Sequence, residues 1–269
     1  ARLCEDFEKV LAVIEKTPPI DKQLRVEKPE FLKRVANVQR MLVEERIDVG
    51  FVFSDEHYCG DVPYLGGNTN VHVEQIAGIV GKTGFHLLAG LEGGYVAEQL
   101  SPRAGCKVHK VEMLQLADEE YPVAAELLED VLTEANGGVF PTRIGLLTPR
   151  QVIPSAIVDY LRGLVGADNV VDAQLGYQKI KNVKSDREMA LIREASIISN
   201  AAMEAMLVTL KPGMLETQVS AWGYFVAKEL GAEELGFDII LGAGEANRTL
   251  IGKALNREMR YGDWVHLGV

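Results

Sequence analysis

The sequence predicts an α/β protein built in two parts, and three observations carry that reading. Between Pro29 and Val171, amphipathic helical patterns alternate with short apolar runs of strand length. A capped helix pair follows, from Ser185 to Leu230, beyond a basic connector. Last come two strand patterns, Gly236–Leu241 and Trp264–Leu267, joined by a loop that ends in the turn Gly262-Asp263.

The composition narrows the class. With 47% hydrophobic and 25% charged residues over 269 positions, the chain can form one large domain or two ordinary ones. The formal net charge of −11 repels phosphate backbones, so nucleic acid is not expected as a partner. No apolar run is long enough to span a bilayer, and no membrane partner is expected. The first segment, ARLCEDFEKVLAVIEK, is acidic and amphipathic, unlike a signal or transit peptide. Three scattered cysteines, Cys4, Cys59 and Cys106, form no C-x-x-C pair and suit a reducing cytoplasm, the expected location.

Taken in order, residues 1–28 read as an accessory helix. Leu3, Phe7, Val10, Leu11 and Ile14 fall at helical spacing, and Thr17-Pro18-Pro19 stops the run. Residues 29–174 form one domain-sized unit. In it, Pro29–Glu45 reads as a helix with Leu32, Val35, Val38 and Leu42 as its stripe, and Val49–Phe53 as a buried strand. Val71–Val80, Gly84–Ala89 and Tyr95–Ala97 read as strands between glycine turns. Pro122–Glu134 and Val152–Leu164 read as helices, Arg143–Leu147 and Val170-Val171 as strands.

The third part, 175–269, opens on the basic connector Tyr177–Lys184. Ser185 and Glu188 then stand at the offset of a capping box. Leu191, Ile192, Ala195, Ile198, Ala202, Met206 and Leu210 carry a long helical stripe that Lys211-Pro212-Gly213 ends. A second helix, Glu216–Leu230, stops at Gly231.

Four of the five histidines precede this part: His57, His72, His86 and His109. No pair lies at i,i+4 and there is no H-E-x-x-H. His72 and His86 lie in strand patterns, where a packed or surface position is the ordinary expectation. His57 sits in the polar loop SDEHYCGDVPYLGGN, either a solvated loop or a ligand-facing one.

The segments KSDREMALIREA and KPGMLE, with GFDIILGAG, Arg257 and Gly262-Asp263 after them, resemble the creatinase / aminopeptidase P / prolidase family. RVANVQRMLVEERIDVGFVF and VPYLGGN resemble the opening of that family's N-terminal domain. The resemblance implies a creatinase-like N-terminal domain followed by the first part of a pita-bread (α+β) domain. It implies a homodimer, a small peptide or small-molecule substrate, and hydrolysis of a C–N bond. It also implies that the polypeptide continues beyond Val269 with further ligand residues.

Peptidases of this family use two divalent metals such as Mn²⁺, held by carboxylates and imidazoles. Creatinase instead cleaves a guanidinium C–N bond through a histidine without metal. Counted without gaps, the family's cleft histidine falls on Ile251 and its first metal aspartate on Gly268. The cofactor is thus left open, and no metal ligand is assigned. His266 shares a strand face with Gly268, and is either a general base or lone ligand, or a strand histidine hydrogen-bonded within the sheet. Glu245, Asn247 and Arg248 are either substrate contacts or solvated turn residues, and the resemblance places the His57 loop near a neighbouring subunit's cleft. Two functions therefore stand: a C–N hydrolase with an altered site, and a catalytically silent domain that binds a peptide or small ligand.

Overall fold

The computed structural model describes residues 2–68, 71, 74–115 and 125–269. His72 and the first residues of the expected helix 122–134 lie outside them. In order the chain forms α1 (Arg2–Lys16), α2 (Lys28–Glu44), β1 (Val49–Ser54), α3 (Asp61–Gly66), β2 (Ile76–Gly81) and β3 (Gly84–Ala89). Then come α4 (Leu91–Leu100), β4 (Lys107–Lys110), α5 (Leu128–Ala135), β5 (Ile144–Leu146), α6 (Ser155–Val165), β6 (Val170–Asp172) and α7 (Gln174–Asn182). The chain closes with α8 (Asp186–Thr209), α9 (Glu216–Glu229), β7 (Ile240–Ala243) and β8 (Val265–Gly268). Contacts divide it into two compact units, Val26–Lys184 and Ala1–Arg25 with Ser185–Val269.

The unit Val26–Lys184 is built on a sheet of order β4-β3-β2-β1-β5-β6. β1 and β2 pair antiparallel, as do β2 and β3, while β3–β4, β1–β5 and β5–β6 are parallel. The central strands are buried throughout, which is why VGFVF and IAGIVG read as continuous rather than alternating apolar runs. One face packs against α2 and α7 through Val38, Leu42, Leu65, Leu87 and Tyr177. The other packs against α5 and α6 through Phe51, Ile79, Leu88, Leu132 and Leu161.

Three expectations change here. Tyr95–Ala97 is not a strand but lies within the helix α4. Gly93-Gly94 is not a turn: a Cβ at Gly94 would meet the Lys110 side chain at 2.6 Å, so the glycine lets the helix lie close to β4. The helix α2 buries Phe31 rather than Leu32, which is 49% exposed. The segment read as a connector from Tyr177 is mostly the helix α7. Tyr177 is fully buried, and its hydroxyl donates to the Asp61 carbonyl at 2.7 Å. Burial, and then the Asp61 charge, hold that hydroxyl well above its ordinary pKa, so it remains a donor. Lys181 pairs with the Asp61 carboxylate. These contacts place α7 with the unit before it, so the unit boundary falls at Lys184/Ser185 rather than at 174/175.

In the unit Ala1–Arg25 with Ser185–Val269, α1 lies against α8 and α9. Val10 and Val13 enter a core with Ala201, Ala202, Ala205, Val226 and Ala227, while Leu3, Phe7 and Leu11 stay exposed. Asp6, buried on α1, pairs with Lys211 at 3.0 Å. The capping box is present: Ser185 Oγ accepts from Glu188 N at 3.1 Å, and Ser185 N donates to Glu188 Oε2 at 2.9 Å. Gly223 brings α9 close to the core, since a Cβ there would meet Ile239 at 2.7 Å and Met206 at 2.9 Å.

Candidate active site

The site is built on the hairpin-like pair β7–β8. The strands are antiparallel, with Ile240 opposite Gly268, Leu241 opposite Leu267, Gly242 opposite His266 and Ala243 opposite Val265. Gly244 ends β7 with φ 56°, a left-handed conformation that glycine adopts without strain, and its N–H donates to Trp264 O at 3.0 Å. A 3₁₀ turn, Gly244–Arg248, follows at once. Before β8, Asp263 Oδ2 accepts from Arg260 N at 2.7 Å and closes the turn at Gly262.

The turn brings two of the sequence-singled residues together. His266 Nδ1 lies 2.6 Å from Asn247 Oδ1. With the amide so oriented, an N–H on Nδ1 donates to that oxygen, which leaves Nε2 as the ring's free lone pair. Nε2 is itself buried and has no hydrogen-bond partner. The strand histidine is therefore bonded not to the sheet but to the loop that follows β7, and its second nitrogen is left for something else. Glu245 and Arg248 are exposed on the same turn. His57 is exposed in the other unit, in a loop that Asp55 shapes by accepting from His57 N at 2.9 Å and Tyr58 N at 2.7 Å.

What holds the loop is Glu216, whose function sequence reasoning did not see. Its carboxylate is fully buried at the start of α9. Oε1 accepts from Ala243 N at 3.0 Å and Oε2 from Leu255 N at 3.0 Å, so one side chain clamps both ends of the segment between them. Arg257 completes the cluster, with Nη2 at 3.2 Å from Oε2. The segment also runs along the residues before α9, with Glu216 N donating to Arg257 O at 3.0 Å and Met259 N to Met214 O at 2.8 Å. The only sequence signal was the glutamate of KPGMLE.

Ile251, on which the ungapped count puts the family's cleft histidine, is 87% exposed. Gly268 has no donor, and a Cβ there would face only Ile240, 3.4 Å away. Asp263 is committed to its turn. Among the described residues, no three metal-ligating side chains converge in this unit; the one such group lies elsewhere. Among the described residues of this unit, the position that the ungapped count gives the family's first metal aspartate thus offers no donor.

Residues 190–269 match metallopeptidase family M24. The "putative dipeptidase YkvY" of Bacillus subtilis is 24% identical over 87% of this chain and 60% of its own length. The "uncharacterized peptidase YqhT" of the same organism is 21% identical over 74% of this chain and 54% of its own. Over residues 190–269 the chain is thus similar to this metallopeptidase family. It shares its fold with the X-Pro aminopeptidase of Thermotoga maritima (TM-score 0.67, 19% identity, 86% of this chain and 59% of that one). The prolidase of Pyrococcus horikoshii OT3 is similar to the same degree (TM-score 0.66, 17% identity, 87% and 59%). The architecture is thus that of a creatinase-like N-terminal domain followed by pita-bread structure. The chain spans a little over half the length of these M24 relatives. No helix among the described residues is long and apolar enough to cross a membrane.

Proposed function

We propose that the chain belongs to a hydrolase acting on a C–N bond of a small peptide or amidino substrate, through an altered site in which His266 is the base. The observation that carries this reading is the His266–Asn247 pair with its bare, buried Nε2. Asn247 fixes the tautomer and orientation of the imidazole, as a base requires. In the step, Nε2 takes a proton from water as the water oxygen bonds to the carbonyl or amidino carbon. The same nitrogen returns that proton to the leaving nitrogen as the C–N bond breaks. Asn247 Oδ1 keeps the Nδ1 proton throughout and is placed to stabilise the transient imidazolium. Glu245 and Arg248 are the exposed charged groups of the turn and suit the ammonium and carboxylate of a small zwitterion. The assembly is a cytoplasmic homodimer in which His57 approaches the neighbouring cleft, without nucleic acid or membrane partners. All three cysteines are free thiols, which supports a reducing compartment.

The test is release of amine from Xaa-Pro dipeptides and from creatine by the chain, compared with His266→Ala and Asn247→Ala. We expect turnover of one class and a fall of about 100-fold in kcat for His266→Ala, the range for removing a positioned base. Asn247→Ala is expected to fall less, since the base remains and only its orientation is lost. The second reading, a silent binding domain, is favoured by Ile251 and Gly268, where the family's reacting groups are absent. Saturable binding of a dipeptide by calorimetry without any turnover would select it.

A further inference from the structure

The unit Val26–Lys184 brings together two histidines and a glutamate that the site on β7–β8 does not use. β3 and β4 run parallel with His86 opposite Lys107 and Leu88 opposite His109. Alternation along each strand therefore puts both histidines on one sheet face, and Leu88 shows it to be the face covered by α5. The two imidazoles are buried, at 4% and 0% exposure, and stack at 5.1 Å with 28° between their planes. His86 Nδ1 and His109 Nε2 face each other at 2.9 Å. One nitrogen of each ring and one carboxylate oxygen of Glu134, in the last turn of α5, all lie within 4.8 Å of one another.

We propose that His86, His109 and Glu134 form a binding site for a divalent transition metal of the Zn²⁺ type. Two imidazoles and a carboxylate are the donor set such ions take, at about 2.0–2.2 Å, with a fourth position left for water. Two nitrogens bound at that distance with tetrahedral angles stand about 3.3 Å apart, so the rings need to part by only a few tenths of an ångström.

The outer contacts already orient the rings. His109 Nδ1 lies 2.9 Å from Glu126 Oε2 and His86 Nε2 lies 2.7 Å from Thr83 Oγ1. A carboxylate on the far nitrogen of a histidine is the usual support of a metal-bound imidazole. Without metal, His109 Nδ1–H donates to Glu126, His86 Nδ1–H donates to His109 Nε2, and the Thr83 hydroxyl donates to His86 Nε2. With metal, the His86 proton moves to Nε2 and donates to Thr83 Oγ1. The Thr83 hydrogen then turns to the carbonyl of Glu134 or Ala135, 3.1 and 3.3 Å away. Both facing lone pairs are thereby freed, and the proton count is unchanged.

Glu134 is exposed and gives the ion a way in. Its partner Lys107, at 2.7 Å, forms an exposed ion pair with it that a divalent ion readily displaces. Bound there, the ion would join β3, β4 and α5.

The test is a titration of the intact chain with Co²⁺ at pH 7.5 after chelation and desalting, in a Cys4→Ser/Cys59→Ser background that removes the exposed thiols. We expect one equivalent to give the visible d–d bands of a tetrahedral nitrogen and oxygen site, discharged by Zn²⁺. Glu134→Gln, at an exposed position that tolerates the change, should weaken binding at least 10–100-fold, and His109→Gln should abolish the bands. Absence of bands in the parent chain, or equal affinity in Glu134→Gln, overturns the proposal and leaves a hydrogen-bonded histidine pair.

Discussion

Glu216→Ala is expected to lower the unfolding free energy of the unit containing α8, α9 and β7–β8 by about 3 kcal/mol. The reason is the number of donors that end on one fully buried carboxylate. Alanine leaves the N–H groups of Ala243 and Leu255 without acceptors, at about 1–3 kcal/mol each, and adds a cavity. The ion pair with Arg257 contributes little to this sum, because that side chain is 46% exposed and its charge is screened by solvent. Glu216→Gln retains one acceptor oxygen, so about half the loss is expected from it, and Arg257→Ala should cost under about 1 kcal/mol. Urea unfolding followed by tryptophan fluorescence checks the order directly. Both tryptophans of the chain, Trp222 and Trp264, lie in this unit and report on it alone. Equal losses in Glu216→Ala and Arg257→Ala would show that the charge, not the clamped amides, holds the loop. The same clamp sets the position of Asn247, so Glu216→Ala should also reduce any turnover that depends on His266.

Helix periodicity, the capping box at Ser185 and the strand pair around Gly244 were legible because each is written in neighbouring residues. The pairing of His266 with the loop after β7 was not: the strand pattern suggests a bond within the sheet, and only the 3₁₀ turn after Gly244 brings Asn247 to the ring. The function of Glu216 was not legible. Its partners lie 27 and 39 residues away and are backbone amides, which every residue but proline has. The histidine pair was hidden for a related reason. His86 and His109 are 23 residues apart, and only the parallel pairing of β3 with β4 makes them neighbours. Tyr95–Ala97 is helical rather than a strand because glycine has two uses: Gly93-Gly94 suggests a turn by composition, whereas in the structure Gly94 relieves crowding inside a helix. The stripes on α1 and α2 were shifted for a simpler reason. Leu3, Phe7, Leu11 and Leu32 are apolar but exposed, and apolar character alone does not choose which side of a helix meets the core.

A second large effect is expected at Asp61, where the first unit ties its last helix to its sheet. Asp61 opens α3 and is 1% exposed. Its Oδ2 accepts from Thr148 Oγ1 at 2.8 Å, just beyond β5, and its Oδ1 pairs with Lys181 on α7, whose side chain is only 19% exposed. Removing one member of such a pair leaves the other charge in a poorly solvated place, which costs about 3–5 kcal/mol. Asp61→Ala should therefore destabilise the unit by that amount, mainly through Lys181. Lys181→Met strands the more buried Asp61 carboxylate, with Thr148 but without its counter-charge, and should cost a similar amount. Replacing both, as Asp61→Asn with Lys181→Met, should recover much of the loss, because no buried charge then lacks a partner. Tryptophan fluorescence is blind to this unit, which contains neither Trp222 nor Trp264, so far-ultraviolet circular dichroism with amide exchange at β1 and β2 is the measurement. If the double variant is as unstable as Asp61→Ala, the loss lies in the hydrogen bond to Thr148 and the packing of α3 rather than in charge. If it recovers, the ion pair chiefly specifies that α7 folds onto this sheet, and a segment that reads as a linker becomes part of a domain.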